Sequence, residues 1–186
     1  MEDRHLITQV LRGNHQAFAA LIDRHKGLVY SICLKVCKNA ETAEEIAQDT
    51  FLKAFQKLDT FKSESKFSTW LYRIAYNLSL NTIKKSRIQT DDIDEHQSVG
   101  ESDLPDGFFA LKQEEQRGYL RQALDRLNER YALVLSLYYL EEMSVKEVAV
   151  IMTEKESNVK VHLNRARKAL NKVLEDLLKD ELKSIL

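Results

Sequence analysis

The chain has 186 residues, with 28 Lys and Arg against 29 Asp and Glu and a formal net charge of −1. A content of 44% hydrophobic and 31% charged residues describes a chain that folds in water, and 5 Gly and 1 Pro are too few for the turns of an all-β design. No apolar run approaches the ~20 residues of a membrane span, no apolar stretch follows a basic N-terminus as in a secretory signal, and 2 Cys make no disulfide framework; a secreted scaffold, a membrane-spanning protein and a disordered chain are excluded.

Apolar residues at a period of 3.6 then predict helices from one end to the other. Leu6, Ile7, Val10 and Leu11 form a short first helix, stopped by Gly13, with Asn14 able to cap the next. Phe18, Leu21, Ile22, Leu28, Val29, Ile32, Cys33, Val36 and Cys37 form a long second helix. Asn39 caps a third, with Ile46, Ala47, Thr50, Phe51, Ala54, Phe55 and Leu58 on one face; Phe51 and Phe55 are expected in the core. Asp59 to Lys66 reads as a loop, and a fourth helix carries Phe67, Leu71, Ile74, Ala75, Leu78 and Ile83. From Gln89 to Asp106 the period stops, in a stretch holding Gly100, Pro105 and a concentration of acids, which reads as a flexible linker. Helices resume with Leu120, Ala123, Leu124 and Leu127, then Leu133, Val134, Leu137, Tyr138 and Leu140. Ser144-Val145-Lys146-Glu147 is a capping-box sequence opening a short helix, and Val159, Leu163, Ala166, Leu170, Val173, Leu174, Leu177 and Leu178 define a last long one. The fold class is all-α: two small helical domains, 1–88 and 108–186, joined by a flexible acidic linker at 89–107.

The neutral total argues against a nucleic-acid partner only until charge is taken by position. Residues 1–90 hold 14 basic and 9 acidic side chains, residues 91–118 hold 2 and 9, and residues 119–186 hold 12 and 11. No acid occurs from Ser65 to Thr90, nor from Ser157 to Lys172. Two acid-free basic windows are the footprint of phosphate contact, or two solvated helix faces; charge alone does not decide.

The second window lies in a short capped helix, a polar turn and a longer basic helix, the spacing of a helix-turn-helix. Val159, Leu163, Ala166 and Leu170 fall on one stripe and are expected inside. Lys160, Val161, Asn164, Arg165, Lys168 and Lys172 then face outward, where Asn reads adenine, Arg reads guanine and a Val methyl meets the thymine methyl. A plain helical hairpin has the same period. In the first window aromatics are interleaved with cations, the chemistry that catches unstacked bases on a basic surface.

These runs also carry a resemblance. Val145-Lys146-Glu147-Val148-Ala149, then Val159-Lys160 and Leu163-Asn164-Arg165-Ala166-Arg167-Lys168-Ala169-Leu170, resemble region 4 of the extracytoplasmic-function (ECF) sigma factors. Thr153 stands where the family usually has Gly, Glu154 where it has an aliphatic residue, and Val161-His162 replaces a common Ser-Arg pair. Glu44 to Phe55 is similar to region 2.2, and Lys66-Phe67-Ser68-Thr69-Trp70-Leu71-Tyr72-Arg73-Ile74-Ala75-Tyr76-Asn77 to regions 2.3 and 2.4. The motifs follow in the family's order. The resemblance implies a cytoplasmic sigma factor that binds RNA polymerase core through Glu45, Gln48 and Asp49. Lys66, Trp70, Arg73, Asn77, Asn81, Lys84, Lys85 and Arg87 would recognise and melt the −10 element of promoter DNA. Lys160, Val161, His162, Asn164, Arg165 and Lys168 would read the −35 element. Trp70 divides between burial against the domain core and DNA contact, and Tyr72 and Tyr76 are similarly mixed. An anti-sigma factor is a further partner implied by the family; no cofactor, metal or enzymatic activity is.

Other chemistry is weaker. Asp91-Asp92-Ile93-Asp94-Glu95 has the composition of a Mg²⁺ site but sits in the patternless linker. Cys33 and Cys37, at i and i+4, are spaced for zinc but fall on an apolar stripe, as buried thiols do. Two rival functions are a helix-turn-helix regulator acting without replacing sigma and a carboxylate-metal hydrolase.

Overall fold

The computed structural model describes residues 3–86 and 113–185. It is all-α, with eight α-helices among the described residues: α1 (Asp3–Leu11), α2 (Gln16–Cys37), α3 (Ala40–Gln56), α4 (Phe67–Ser86), α5 (Gln113–Arg126), α6 (Glu129–Leu135), α7 (Val145–Met152) and α8 (Glu156–Ile185). None of them is long and apolar enough to cross a membrane. The acidic stretch Asp91 to Glu95 and Arg87 lie outside the described residues. Two compact units result, the first built on α1–α4 together with Lys146–Glu154, the second on α5, α6 and α8.

In the first unit α2, α3 and α4 pack on one another and α1 packs on α2. Leu21, Val29, Ile32, Cys33, Val36, Ala43, Ala54, Leu58, Leu71 and Ala75 are buried there, each large aliphatic side chain stabilising the fold by roughly 1.5–3 kcal/mol. Two polar residues join this core by bonding back along their own helices: the Thr50 hydroxyl donates to the Ile46 carbonyl at 2.7 Å and that of Ser79 to Ala75 at 2.9 Å. In the second unit α6 and α5 both pack on α8. Ala123 of α5 meets Leu174 and Leu177 near the far end of α8, while Val159, Leu163 and Ala166 bury its earlier turns.

The helix ends follow from local chemistry. Asn39 caps α3 as its sequence predicts, its side chain accepting from the Thr42 N–H at 2.8 Å. Asn128 does the same for α6, accepting from Tyr131 at 2.8 Å. At the end of α1, Gly13 has φ +96°. Its N–H donates to Val10 at 2.9 Å and the Asn14 N–H to Gln9 at 3.0 Å, the paired bonds of a Schellman cap. Asn14 therefore closes α1 through its backbone, and α2 starts at Gln16 behind His15 without a side-chain cap; the expected Asn14 cap does not form. The same cap closes α7, where Thr153 holds φ +57°, its N–H reaching Val150 at 3.4 Å and that of Glu154 reaching Ala149 at 2.9 Å. A β-branched residue takes the left-handed position that glycine occupies after α1. Between α6 and α7 the chain makes a π-helical turn, Ser136–Leu140.

Candidate nucleic-acid interface

α4 sorts its residues by face. Phe67, Leu71, Ala75 and Ser79 are buried, at spacings of four that point one stripe at α2 and α3. Lys66, Trp70, Arg73, Asn77, Asn81 and Lys84 advance by three or four residues and so fall on a single opposite stripe. Lys66, Arg73, Asn77, Asn81 and Lys84 are exposed and Trp70 is half-buried; Lys85 lies in the last turn of the helix. No acid occupies this face of the helix. The Lys66 ammonium is 2.8 Å from the Glu147 carboxylate, in the segment grouped with this unit, so a phosphate reaching Lys66 competes with that partner.

The aromatics divide. Trp70 packs against Phe61 (ring centroids 5.4 Å) and Phe67 (5.7 Å), leaving part of the indole open beside Lys66 and Arg73. It is both packed and presented. Tyr72 and Tyr76 are buried, at 5% and 3% exposure, and belong to the core. Phe61 was not singled out from the sequence, although it is the one aromatic in the polar loop before α4; a lone ring among Lys, Ser and Glu is the signal that marks it.

α3 presents Glu45, Gln48 and Asp49 on an exposed flank, away from buried Ile46, Thr50 and Phe51. Leu52 joins that flank at 58% exposure, a leucine on a polar face that the sequence pattern already displays. Phe51 is in the core as expected. Phe55 is not: it is 37% exposed, lying edge-on to His15 and Phe18 at the surface.

On α8, Val159, Leu163 and Ala166 are buried and Leu170 is half-buried, as the stripe predicts. Val161, Arg165, Lys168 and Lys172 follow at the same spacing on the opposite side. Lys160, Val161 and Lys172 are exposed, whereas His162, Asn164, Arg165 and Lys168 are half-buried. Arg167 lies on a flank. Its guanidinium sits 5.6 Å from the Tyr139 ring centre and its Nε donates to the Tyr139 hydroxyl at 2.7 Å, tying α8 to the π-helical turn.

Among the described residues no group of three or more His, Cys, Asp or Glu is placed to hold a metal ion. Cys33 is buried and Cys37 half-buried, both as free thiols. Burial pushes both up, Cys33 to about 11, against the opposing effect of a hydrogen bond with Ser79.

Comparison with known proteins bears on the whole chain. Residues 21–88 match the Sigma-70 region 2 family and residues 117–170 the Sigma-70 region 4 family. The ECF RNA polymerase sigma factor SigW of Bacillus subtilis is 34% identical over 92% of this chain and 96% of its own length. The RNA polymerase sigma-H factor of Pseudomonas aeruginosa is 30% identical over 96% of this chain and 97% of its own. The fold is that of CnrH, solved in complex with the cytosolic domain of CnrY (TM-score 0.64, 23% identity, 94% of this chain and 97% of that one). It is equally that of the sigma factor RpoE of Bartonella quintana, solved with the anti-sigma factor NepR (TM-score 0.63, 22% identity, 85% and 96%). With region 2 on α2–α4, region 4 on the helix-turn-helix helices, and full-length relatives of one kind, the chain belongs to the ECF sigma factors of bacterial RNA polymerase.

Proposed function

We propose a division of labour for a protein that binds RNA polymerase core and directs promoter-specific initiation. Domain 1–88 docks on core through Glu45, Gln48 and Asp49 of α3 and recognises and melts the −10 element along α4. Domain 108–186 reads the −35 element with α8, and the acidic stretch 89–107 links them. The observation that carries this reading is the outer stripe of α4: cations, amides and one half-open indole on a single line, with no acid among them. Such a line offers a backbone-tracking charge and a stacking platform together, which is what an opened strand requires. Arg165 and Asn164 supply base-edge chemistry in the major groove, and Lys160 and Lys168 supply phosphate contacts. The polymerase makes the bonds; this chain brings no catalytic step and works in the cytoplasm. A sigma factor of this fold held by an anti-sigma protein supports a partner of that kind here, competing with core for the same domains.

The test is reconstitution. Core polymerase with this chain is expected to give run-off transcripts from a subset of a genomic promoter library, and Asp49→Ala to weaken capture of core while leaving duplex binding by the chain unchanged. Duplex binding without any run-off product would overturn the reading in favour of a regulator that does not replace sigma.

A further inference from the structure

His25 is a buried ionisable side chain that the reading above does not use. It projects from α2 at 6% exposure. Its Nε2 is 2.8 Å from Asp3 Oδ2, in the first turn of α1, and its Nδ1 is 2.9 Å from the Tyr72 hydroxyl of α4. With the ring proton on Nε2, the imidazole donates to the carboxylate and accepts from the hydroxyl, so both nitrogens are satisfied away from water. Asp3 also takes the Arg24 guanidinium. One side chain thereby joins α1, α2 and α4.

The contacts continue outward as rings. The imidazole meets Phe67 edge-on, centroids 5.6 Å apart. Phe67 meets Phe61 at 5.6 Å and Trp70 at 5.7 Å, and Phe61 meets Trp70 at 5.4 Å. Phe61 and Trp70 are half-buried, whereas His25 and Phe67 are buried. A continuous path of ring contacts, edge-on from His25 to Phe67 and Phe61 and tilted onto Trp70, therefore runs from an ionic anchor on α1 to the two half-buried rings. Edge-to-face packing fixes ring direction as well as distance. α1 also touches the short turn Leu58–Thr60 that leads into the loop carrying Phe61.

We propose that His25 is a positioning residue for promoter opening: held between Asp3 and Tyr72, it orients Phe67 and so presets the Phe61–Trp70 platform that receives an unstacked base of the −10 element. This rests on reading the outer stripe of α4 as the −10 surface. A preset platform gives the full benefit of stacking, because none of it is spent ordering the rings on arrival.

Trp70 is the one tryptophan of the chain, so its emission reports the platform directly. Trp70 fluorescence and thermal stability are read on the full chain alone, and permanganate reactivity of unpaired −10 thymines and affinity for core are read on the full chain with core polymerase. Tyr72→Phe and Asp3→Asn each remove or weaken one bond to His25 without emptying the site. They are expected to shift Trp70 emission and slow opening by about three- to tenfold, the range that one hydrogen bond contributes, with core affinity unchanged. His25→Gln, whose amide can still reach one partner, is expected to retain more opening than His25→Leu. Opening and emission at wild-type levels in both mild variants would overturn the proposal, as would core affinity and stability falling in step with opening. Arg73→Ala and Asn77→Ala are run alongside. If they impair opening and the His25 series does not, this inference alone fails; if they too leave opening unchanged, the −10 reading fails and takes the inference with it.

Discussion

α4, and α8 from Ser157 to Lys172, are both basic and acid-free, but they are braced differently. α4 is packed along its length by α2 and α3, and its stripe from Lys66 to Lys84 is a straight row with a ring near one end. α8 is held in stages, by α6 and by α5, and four of its proposed reading residues are half-buried, Arg165 and Lys168 on the outer stripe and His162 and Asn164 beside it. A row supported from behind over five turns suits an extended strand, which makes many similar contacts. A helix that offers few residues squarely outward suits a groove, where a small number of side chains reach base edges and the rest hold register. The difference shows why a single count of basic residues says little about what either helix recognises.

The interior behind α4 gives the largest test of this contrast. Cys33 lies there with its thiol raised to about 11 from 9.0, and both cysteines of the chain are in this unit. A group whose folded pKa is raised stabilises the fold below the unfolded pKa and loses that contribution as pH rises through the folded value. The first unit should therefore lose about 2–3 kcal/mol between pH 9 and 11 through this thiol. Denaturant titrations of wild type and Cys33→Ala across that window should diverge by this amount; parallel curves would remove the thiol from the balance. On α8 the largest single effect is expected at Arg165. Its replacement by Ala should weaken −35 duplex binding by about 1–3 kcal/mol and relax discrimination at one base pair, whereas no single residue of the α4 row should alter sequence preference so locally. Uniform weakening across all sequences would make Arg165 a phosphate contact instead.

The two Schellman turns sharpen the comparison at smaller scale. Both use a left-handed residue, Gly13 after α1 and Thr153 before α8. Gly13→Ala meets no steric neighbour within 4 Å, so its cost is backbone strain alone, about 1 kcal/mol. Thr153→Gly should go the other way, stabilising by up to about 1 kcal/mol less the entropy that glycine adds to the unfolded chain. Thermal melts of both variants check the signs; destabilisation by Thr153→Gly would mean that the threonine side chain holds the turn.

Much of this was legible in the sequence, because the information was local. Gly13 and Asn39 announce helix ends through conformational and capping preferences, and the period of apolar residues places every described helix. The family resemblance carried the assignment to the ECF sigma factors and, through it, the roles proposed for individual residues. What escaped was set by partners distant along the chain or by competing local geometry. Tyr72 is buried because His25, 47 residues away, offers it a nitrogen. Phe55 sits on the apolar stripe of α3 yet stays 37% exposed, because His15 and Phe18 cover only its edges. Asn14 has the right chemistry for a cap, but α2 begins one residue further on, behind His15. The π-helical turn at Ser136–Leu140 leaves no mark in a period built for 3.6 residues.

The clasp between Arg167 and Tyr139 has a consequence for ion accounting. From Lys160 to Lys172, α8 carries Lys160, Arg165, Arg167, Lys168 and Lys172. Arg167 is held on a flank by a ring and a hydroxyl, so its Nε–H is spent and its remaining N–H groups are aimed by the clasp rather than free to follow a phosphate. Counterion release contributed by this stretch on binding −35 duplex should then lie nearer four cations than five, each steepening the logarithmic salt dependence by about 0.9. Tyr139→Phe, which keeps the ring and removes the acceptor, should release the fifth and steepen the slope by roughly one such step. A tyrosine outside the recognition helix would thus set how sharply promoter affinity responds to the ionic strength of the cell.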